Sequence, residues 1–286
     1  MNPTIHHYTA FTTDPAGGNP AGVVLDARGL SDATMQEIAA GLGYSESVFL
    51  LPRADGDFDV RYFSPKAEVA FCGHATIAAA VAHADRHGPG ERILHTRAGV
   101  VRVGVDAGGR ATLVSVPPQV LPLARDRLSG LLAAMRWSPD ELDPGLAPAL
   151  AYAGAWHPVL VVASRDRLAA LDYDYDALAA LMARHGWTTI ALAWREDPAT
   201  LHVRNPFPPG GIVEDPATGA AAAALGAYLS ARDALPASRA FTIRQGEDMG
   251  RPSRLHVEVP VDPAAGVRVG GEAVEIPAPA GWPVRT

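Results

Sequence analysis

Lysine is almost missing from this chain. Lys66 is the only one, and 24 Lys+Arg against 31 Asp+Glu leave a net charge of -7. An acidic chain with no basic run lacks the electrostatic footprint for nucleic acid or an anionic membrane, so neither is an expected partner. Cysteine is equally scarce: Cys72 stands alone, which excludes an internal disulfide and a multi-cysteine zinc site. Long apolar runs are missing too. The longest, Leu146 to Ala163, is broken by Pro148, His157 and Pro158 and makes a poor membrane span. The first residues, Met1-Asn2-Pro3-Thr4-Ile5-His6-His7, lack the basic-then-apolar layout of a signal peptide. The expectation is a cytoplasmic protein.

What is present is a globular composition, 48% hydrophobic over 286 residues, with 28 Gly and 25 Pro suiting a loop-rich, sheet-containing fold. Thr4 to Phe11 reads as a strand, followed by the turn-rich Asp14 to Pro20 and a second strand from Ala21 to Leu25. Ser31 stands at an N-cap position, Met35, Ile38, Ala39 and Leu42 follow at helical spacing, and Gly43 stands where a C-cap glycine belongs. Tyr44-Ser45-Glu46-Ser47 then leads into the apolar Val48 to Leu51, and Asp57 to Phe63 alternates as a half-buried strand. Later strands are expected at Val159–Val162, Thr188–Ala193 and Leu201–Val203, with amphipathic helices at Leu128–Met135 and Tyr175–His185.

Two segments differ from everything else, Phe71 to Ala82 and Pro216 to Leu229. In each, a glycine (Gly73, Gly219) opens a helix that is small and apolar on every side, as a buried helix is. The two glycines lie 219 − 73 = 146 residues apart, close to half the chain. The reading is an internal duplication: an α+β protein of two halves, each a strongly curved sheet around its own Ala-rich helix. The Pro-rich Val116 to Pro122 serves as crossover, giving domains 1–117 and 118–286, with the extreme C-terminus able to pack back on the first.

The starts of these helices bear on function. First-turn amides lack internal partners and carry partial positive charge. Neither Gly73 nor Gly219 follows a strong capping side chain, although Thr218 is a partial candidate. Uncapped donors beside a glycine form an anion site, and a small carboxylate-bearing ligand in a cleft between the halves fits two of them. The glycines equally suit tight strand-to-helix turns, which needs no ligand.

Glu46, at the head of an apolar strand between two serines, becomes a usable general acid or base if desolvated, and an ordinary exposed glutamate if not. Asp215 is a similar case, with a helix-dipole contact as its alternative. His74, in a first helical turn, is expected neutral and able to exchange hydrogen bonds. His83 and His87 have metal-binding i, i+4 spacing but no third ligand follows, so no metal is expected there. Gly41-Leu42-Gly43 ends a helix rather than opening one and is no dinucleotide loop.

The ordered set Phe11-Thr12 with Gly18-Asn19-Pro20-Ala21, Ser45-Glu46-Ser47-Val48-Phe49, Cys72-Gly73-His74-Ala75-Thr76, Glu214-Asp215-Pro216-Ala217-Thr218-Gly219 and Gln245-Gly246 with Gly250-Arg251-Pro252-Ser253 resembles the family of the phenazine-biosynthesis isomerase PhzF, within the diaminopimelate-epimerase-like fold. The resemblance covers essentially the whole chain. It implies two pseudo-symmetric barrels around central helices, an active site between them, a homodimer, and no cofactor or metal. It also implies an isomerase in which Glu46 carries a proton between ring carbons of a dihydro-hydroxyanthranilate-like substrate, His74 and Asp215 assist, and Gly73, Gly219, Ala220, Cys72 and Thr218 line the substrate. Ala220 departs from the family serine, which puts the namesake substrate in question. Epimerase relatives use two thiols. Here Cys72 aligns with Thr218 in the repeat and no second cysteine exists, so a two-thiol racemase is excluded and Cys72 is read as a small buried residue. Epimerisation or carbon–carbon cleavage on this scaffold, and non-catalytic binding of a small molecule, are the alternatives.

Overall fold

The computed structural model describes residues 3–262 and 264–279. The chain forms two compact units: the first runs to Val114 and resumes at Gly270, the second is Ser115–Val269.

In the first unit β1 (His6–Ala10) and β2 (Asn19–Val24) precede α1 (Asp32–Leu42), then β3 (Glu46–Pro52), β4 (Phe58–Phe63), the two-residue β5 (Glu68–Val69), α2 (Gly73–His87), β6 (Gly90–Thr96), β7 (Gly99–Val105) and β8 (Ala111–Val114). The second unit carries β9 (Gln119–Pro122), α3 (Arg125–Met135), β10 (Ala149–Tyr152), β11 (Trp156–Val161), α4 (Arg165–Ala169), α5 (Tyr175–His185), β12 (Ala191–Asp197), β13 (Thr200–Pro206), β14 (Glu214–Asp215), α6 (Gly219–Ser230), β15 (Ala240–Gln245) and β16 (Ser253–Glu258). The chain passes back through β17 (Arg268–Gly271) to β18 (Ala273–Glu275), which pairs antiparallel with β1.

The duplication is written in the ladders. In the first unit β1–β2 is antiparallel, β2–β3 parallel, β3–β4 and β4–β5 antiparallel, β4–β6 parallel and β6–β7 antiparallel. In the second, β10–β11, β11–β12, β12–β13, β13–β14, β13–β15 and β15–β16 repeat that series in the same order. Each central helix follows the two-residue strand: α2 packs on β1, β2, β3, β7, β8 and β18, and α6 on β9, β10, β11 and β16. Alanine explains the closeness. Gly73 to Ala82 are all buried, and at Gly226 of α6 an added Cβ would meet Val257 and Val259 at 3.0 Å, so at that point helix and sheet approach too closely for a side chain. Larger apolar residues of α3, α4 and α5, such as Leu131, Met135, Leu168, Leu178 and Met182, pack on the outer face of the second unit's sheet beside Leu160 and Leu192.

The expected caps of α1 form: Ser31 accepts from the Thr34 amide, and Gly43 takes the left-handed conformation at φ 69°. α5 spans the expected residues. The expectation fails at Thr218. It makes no cap bond to α6; its hydroxyl donates to Asp215 Oδ2 instead, because a carboxylate is the stronger acceptor within reach.

Candidate active site

Glu46 opens β3, where it is in register with Ala21 of β2. It is 8% exposed. Burial raises its carboxyl pKa, a shift opposed by hydrogen bonds from Ser45 and Cys72. His74, in the first turn of α2, is 4% exposed, and burial lowers its pKa to about 3. Its Nε2 stands 3.6 Å from Glu46 Oε2, yet a neutral imidazole makes no ion pair. Each group is instead pushed by burial toward its own uncharged form.

A small ring of hydrogen bonds sets the imidazole. Ser45 Oγ donates to Asn19 Oδ1 at 3.3 Å, the Asn19 amide faces His74 Nδ1 at 3.1 Å, and His74 Nε2 faces Ser45 Oγ at 3.3 Å. With the asparagine amide donating to Nδ1, the ring proton resides on Nε2, the nitrogen nearer Glu46. Asn19 is 1% exposed, and its place after the 11–18 loop depends on backbone that few residues adopt. Phe11 and Gly18 have φ of 65° and 66°, and a Cβ at Gly18 would meet Ala10 O at 2.4 Å.

Cys72 occupies the N-cap position of α2 without a side-chain cap bond. Its Sγ lies 3.3 Å from His74 Nδ1 and 3.8 Å from Nε2. The helix start is tied by Thr76, whose hydroxyl donates to Cys72 O and meets Tyr62 Oη, both at 2.7 Å. The first-turn amides from Gly73 onward thus point along the axis with no side chain at the N-cap to accept from them.

The second unit holds its own polar group. Asp215 in β14 is 4% exposed, beside Asn205 of β13 in register. Gln245 brackets the start of α6: its Nε2 donates to Asp215 O at 2.7 Å and to Thr218 Oγ1 at 3.1 Å, while its Oε1 accepts from the Thr218 amide at 3.3 Å. Gly219 is buried and Ala220 half-buried at this start. Gly246 is required next to it, since a Cβ there would meet Arg251 O at 2.2 Å and Pro216 O at 2.8 Å. Glu214 is held by Arg204 at 3.0 Å and Glu68 by Arg61 at 2.7 Å. Both are bidentate clamps on the short strand that feeds a central helix.

Glu46, Cys72 and His74 are therefore brought together in one unit, and Asp215, Thr218, Gly219 and Ala220 lie together in the other. Sequence reasoning did not assign site roles to Asn19, Ser45 or Gln245. Asn19 and Ser45 stood inside quoted motifs, but nothing in their spacing shows that both reach His74. His83 and His87 stack with ring centroids 4.4 Å apart. Among the described residues no third ligand joins them, and the one group of three metal-type ligands is Glu46, Cys72 and His74. No helix of the described residues is long and apolar enough to cross a membrane.

The duplicated α+β scaffold, a curved sheet around an Ala-rich helix in each unit, is that of the epimerase-like folds. The chain belongs to the phenazine biosynthesis-like (PhzC-PhzF) family, which it matches over residues 8–278, and it is an isomerase. It is 34% identical over 271 residues to the uncharacterized isomerase YddE of Escherichia coli K12, covering 91% of each chain. It is also 32% identical over 281 residues to the trans-2,3-dihydro-3-hydroxyanthranilate isomerase of Pseudomonas aeruginosa, covering 95% of each. The crystal structure of a Bacillus anthracis PhzF-family protein superposes with a TM-score of 0.84 at 26% identity, over 97% of this chain and 98% of that one. A hydroxyproline epimerase from Agrobacterium vitis shares the fold, with a TM-score of 0.63 at 15% identity, over 95% of this chain and 88% of that one.

Proposed function

We propose that the protein moves a proton between two carbons of a small, carboxylate-bearing, cyclic metabolite, with Glu46 as the proton carrier. The observation that carries this reading is a carboxyl group 8% exposed, raised in pKa by burial and set 3.6 Å from a neutral imidazole. A raised pKa makes the carboxylate a stronger base toward a proton on carbon. Ionised Glu46 removes the proton and becomes the neutral acid that its surroundings favour. The electron pair left on carbon spreads over the conjugated substrate, and Glu46, whose acid proton exchanges with solvent between the two steps, delivers a proton to a second carbon. His74, unprotonated at physiological pH, orients Glu46 or a substrate oxygen through Nε2–H. First-turn amides of α2 and α6 hold the substrate carboxylate, and Asp215 orients the substrate or donates a proton. The shared cleft, the homodimer, operation without a cofactor and a place in secondary-metabolite biosynthesis are parts of the same proposal.

Support for the substrate class comes from the Pseudomonas aeruginosa relative, named for trans-2,3-dihydro-3-hydroxyanthranilate. The test is proton NMR in deuterated water with that compound, on wild type and Glu46→Gln. Deuterium uptake with rearrangement in the wild type, absent in the variant, supports the reading. Rearrangement by Glu46→Gln at the wild-type rate overturns it. No reaction by either, with the folded wild type binding the compound, rejects that substrate and sends the search to other cyclic carboxylates.

A further inference from the structure

We propose that Cys72, His74 and Glu46 form an inhibitory binding site for a single borderline-soft divalent cation of the zinc type. Their ligand atoms all lie within 4.8 Å of one another, and all three residues are buried. The distances from His74 Nε2 to Glu46 Oε2 and to Cys72 Sγ are 3.6 Å and 3.8 Å. Zinc bonds of about 2.0–2.1 Å to N and O and about 2.3 Å to S, at the tetrahedral angle, give edges of about 3.4 Å and about 3.6 Å. The Nε2–Oε2 edge thus stands within a few tenths of an ångström of a zinc tetrahedron, whereas Cys72 Sγ, nearer Nδ1 at 3.3 Å than Nε2, lies beside the ring and joins the site by rotation of the Cys72 side chain toward Nε2. The fourth corner is left for water or substrate, the pattern of an open zinc site with three protein ligands.

Charge and hydrogen bonding suit the same ion. A thiolate, a carboxylate and a neutral imidazole around a divalent cation sum to zero, the arrangement a buried site tolerates best. The thiol proton and any proton on Glu46 pass to the buffer on binding, as metal ligation requires. The Ser45–Asn19–His74 ring reverses without moving a backbone atom. With the Asn19 amide flipped, His74 Nδ1–H donates to Asn19 Oδ1, Asn19 Nδ2 donates to Ser45 Oγ, and Nε2 is left bare for the metal. The ring that serves the proton in one direction supports a metal ligand in the other. A soft thiolate selects zinc, cobalt or copper over magnesium and calcium.

The test is an anaerobic titration of the purified protein with cobalt(II), followed by the near-ultraviolet thiolate-to-cobalt charge-transfer band. Wild type is expected to bind one equivalent with that band, and zinc to displace it. Cys72→Ala is expected to lose the band and at least about tenfold in affinity. His74→Gln keeps the thiol and loses a ligand, so it weakens binding and decides the matter if Cys72→Ala does not fold. The double variant His83→Ala/His87→Ala is expected to keep the band. No bound cobalt, a wild-type complex without the thiolate band, or a band that vanishes with His83 and His87 would each overturn the site. The inhibitory consequence rests on Glu46 being the proton carrier: zinc stops deuterium exchange and a chelator restores it. If the band forms but no proton exchange occurs even without metal, the metal site stands and the proton-transfer reading fails.

Discussion

At one register position the two units part company. In the first, the parallel ladder after Pro20 begins by pairing Ala21 with Glu46; in the second, the same ladder after Pro158 begins by pairing Val159 with Ala191. Asn19, the residue before Pro20, meets His74. His157, the residue before Pro158, meets Thr189 at 2.9 Å instead. Cys72 at one helix start has Thr218 for its counterpart at the other, where the hydroxyl is committed to Asp215. What the units share is mechanical: the ladder series, the Ala-rich helix and a bidentate arginine–glutamate clamp. What differs, the clamp aside, is the set of polar side chains beside each helix start. The duplicated helix starts thus carry different neighbours: the buried Glu46 carboxyl beside His74 in one, and Asp215 accepting from Thr218 in the other.

The largest expected break in that comparison is Glu46→Gln, which removes the titratable group and lowers proton transfer by about 10²–10⁴-fold or more, read as deuterium incorporation per turnover. Next come the clamps. Arg204 and Glu214 side chains are 12% and 4% exposed, so Arg204→Met leaves a buried carboxylate without its bidentate partner and costs about 3–5 kcal/mol of unfolding free energy. Arg61 and Glu68 are 21% and 12% exposed, and Glu68 keeps Arg97 at 2.6 Å. Arg61→Met is therefore expected to cost about 1–2 kcal/mol. Paired urea titrations check the order, and equal losses would remove the claimed difference between the clamps.

The pH dependence sharpens the same contrast. Burial lowers His74 to about 3 and His157 to about 4 from the usual 6.5. Both are neutral when folded and protonated when unfolded in mild acid. Their contribution to stability is whole above 6.5 and is lost as pH falls toward those values. Each of His74→Gln and His157→Gln is expected to flatten the acid limb of a melting-temperature profile. Glu46 has the opposite sign. Its raised pKa means that the folded protein holds the proton longer, so ionisation destabilises it progressively as pH rises above the ordinary glutamate value of 4.5. Glu46→Gln gains on the wild type in melting temperature between mildly acidic and mildly alkaline buffer, and a gap constant with pH would contradict burial of that carboxyl.

How much of this was readable beforehand depends on range. The two central helices were legible because a run of small, mostly alanine residues apolar on every side is a local signal, and Glu46 was legible because a lone acid heads an apolar run. The α1 caps and the whole of α5 were legible for the same reason. The two-residue strands β5 and β14 were not, since two residues carry no period. Nor were the Gln245 bracket and the two clamps, whose partners meet only across a sheet. The partial cap that Thr218 offered did not form, because capping preference describes the helix alone, whereas here a neighbouring carboxylate competes for the hydroxyl.

The smallest expected effect is that of Ala220→Ser, which adds a hydroxyl at the half-buried start of α6 and is expected to tighten an anthranilate-type substrate by about 0.5–1.5 kcal/mol, read as its dissociation constant. A weaker complex would indicate that the natural substrate presents no acceptor there.

The central claim is that Glu46 carries the proton between the two carbons. Deuterium incorporation followed by NMR for Glu46→Gln and Asp215→Asn, side by side with wild type, tests it most directly. The account predicts no label transfer by Glu46→Gln and slowed but measurable transfer by Asp215→Asn. Transfer by Glu46→Gln at the wild-type rate, with none by Asp215→Asn, would contradict it and move the acid/base to the second unit.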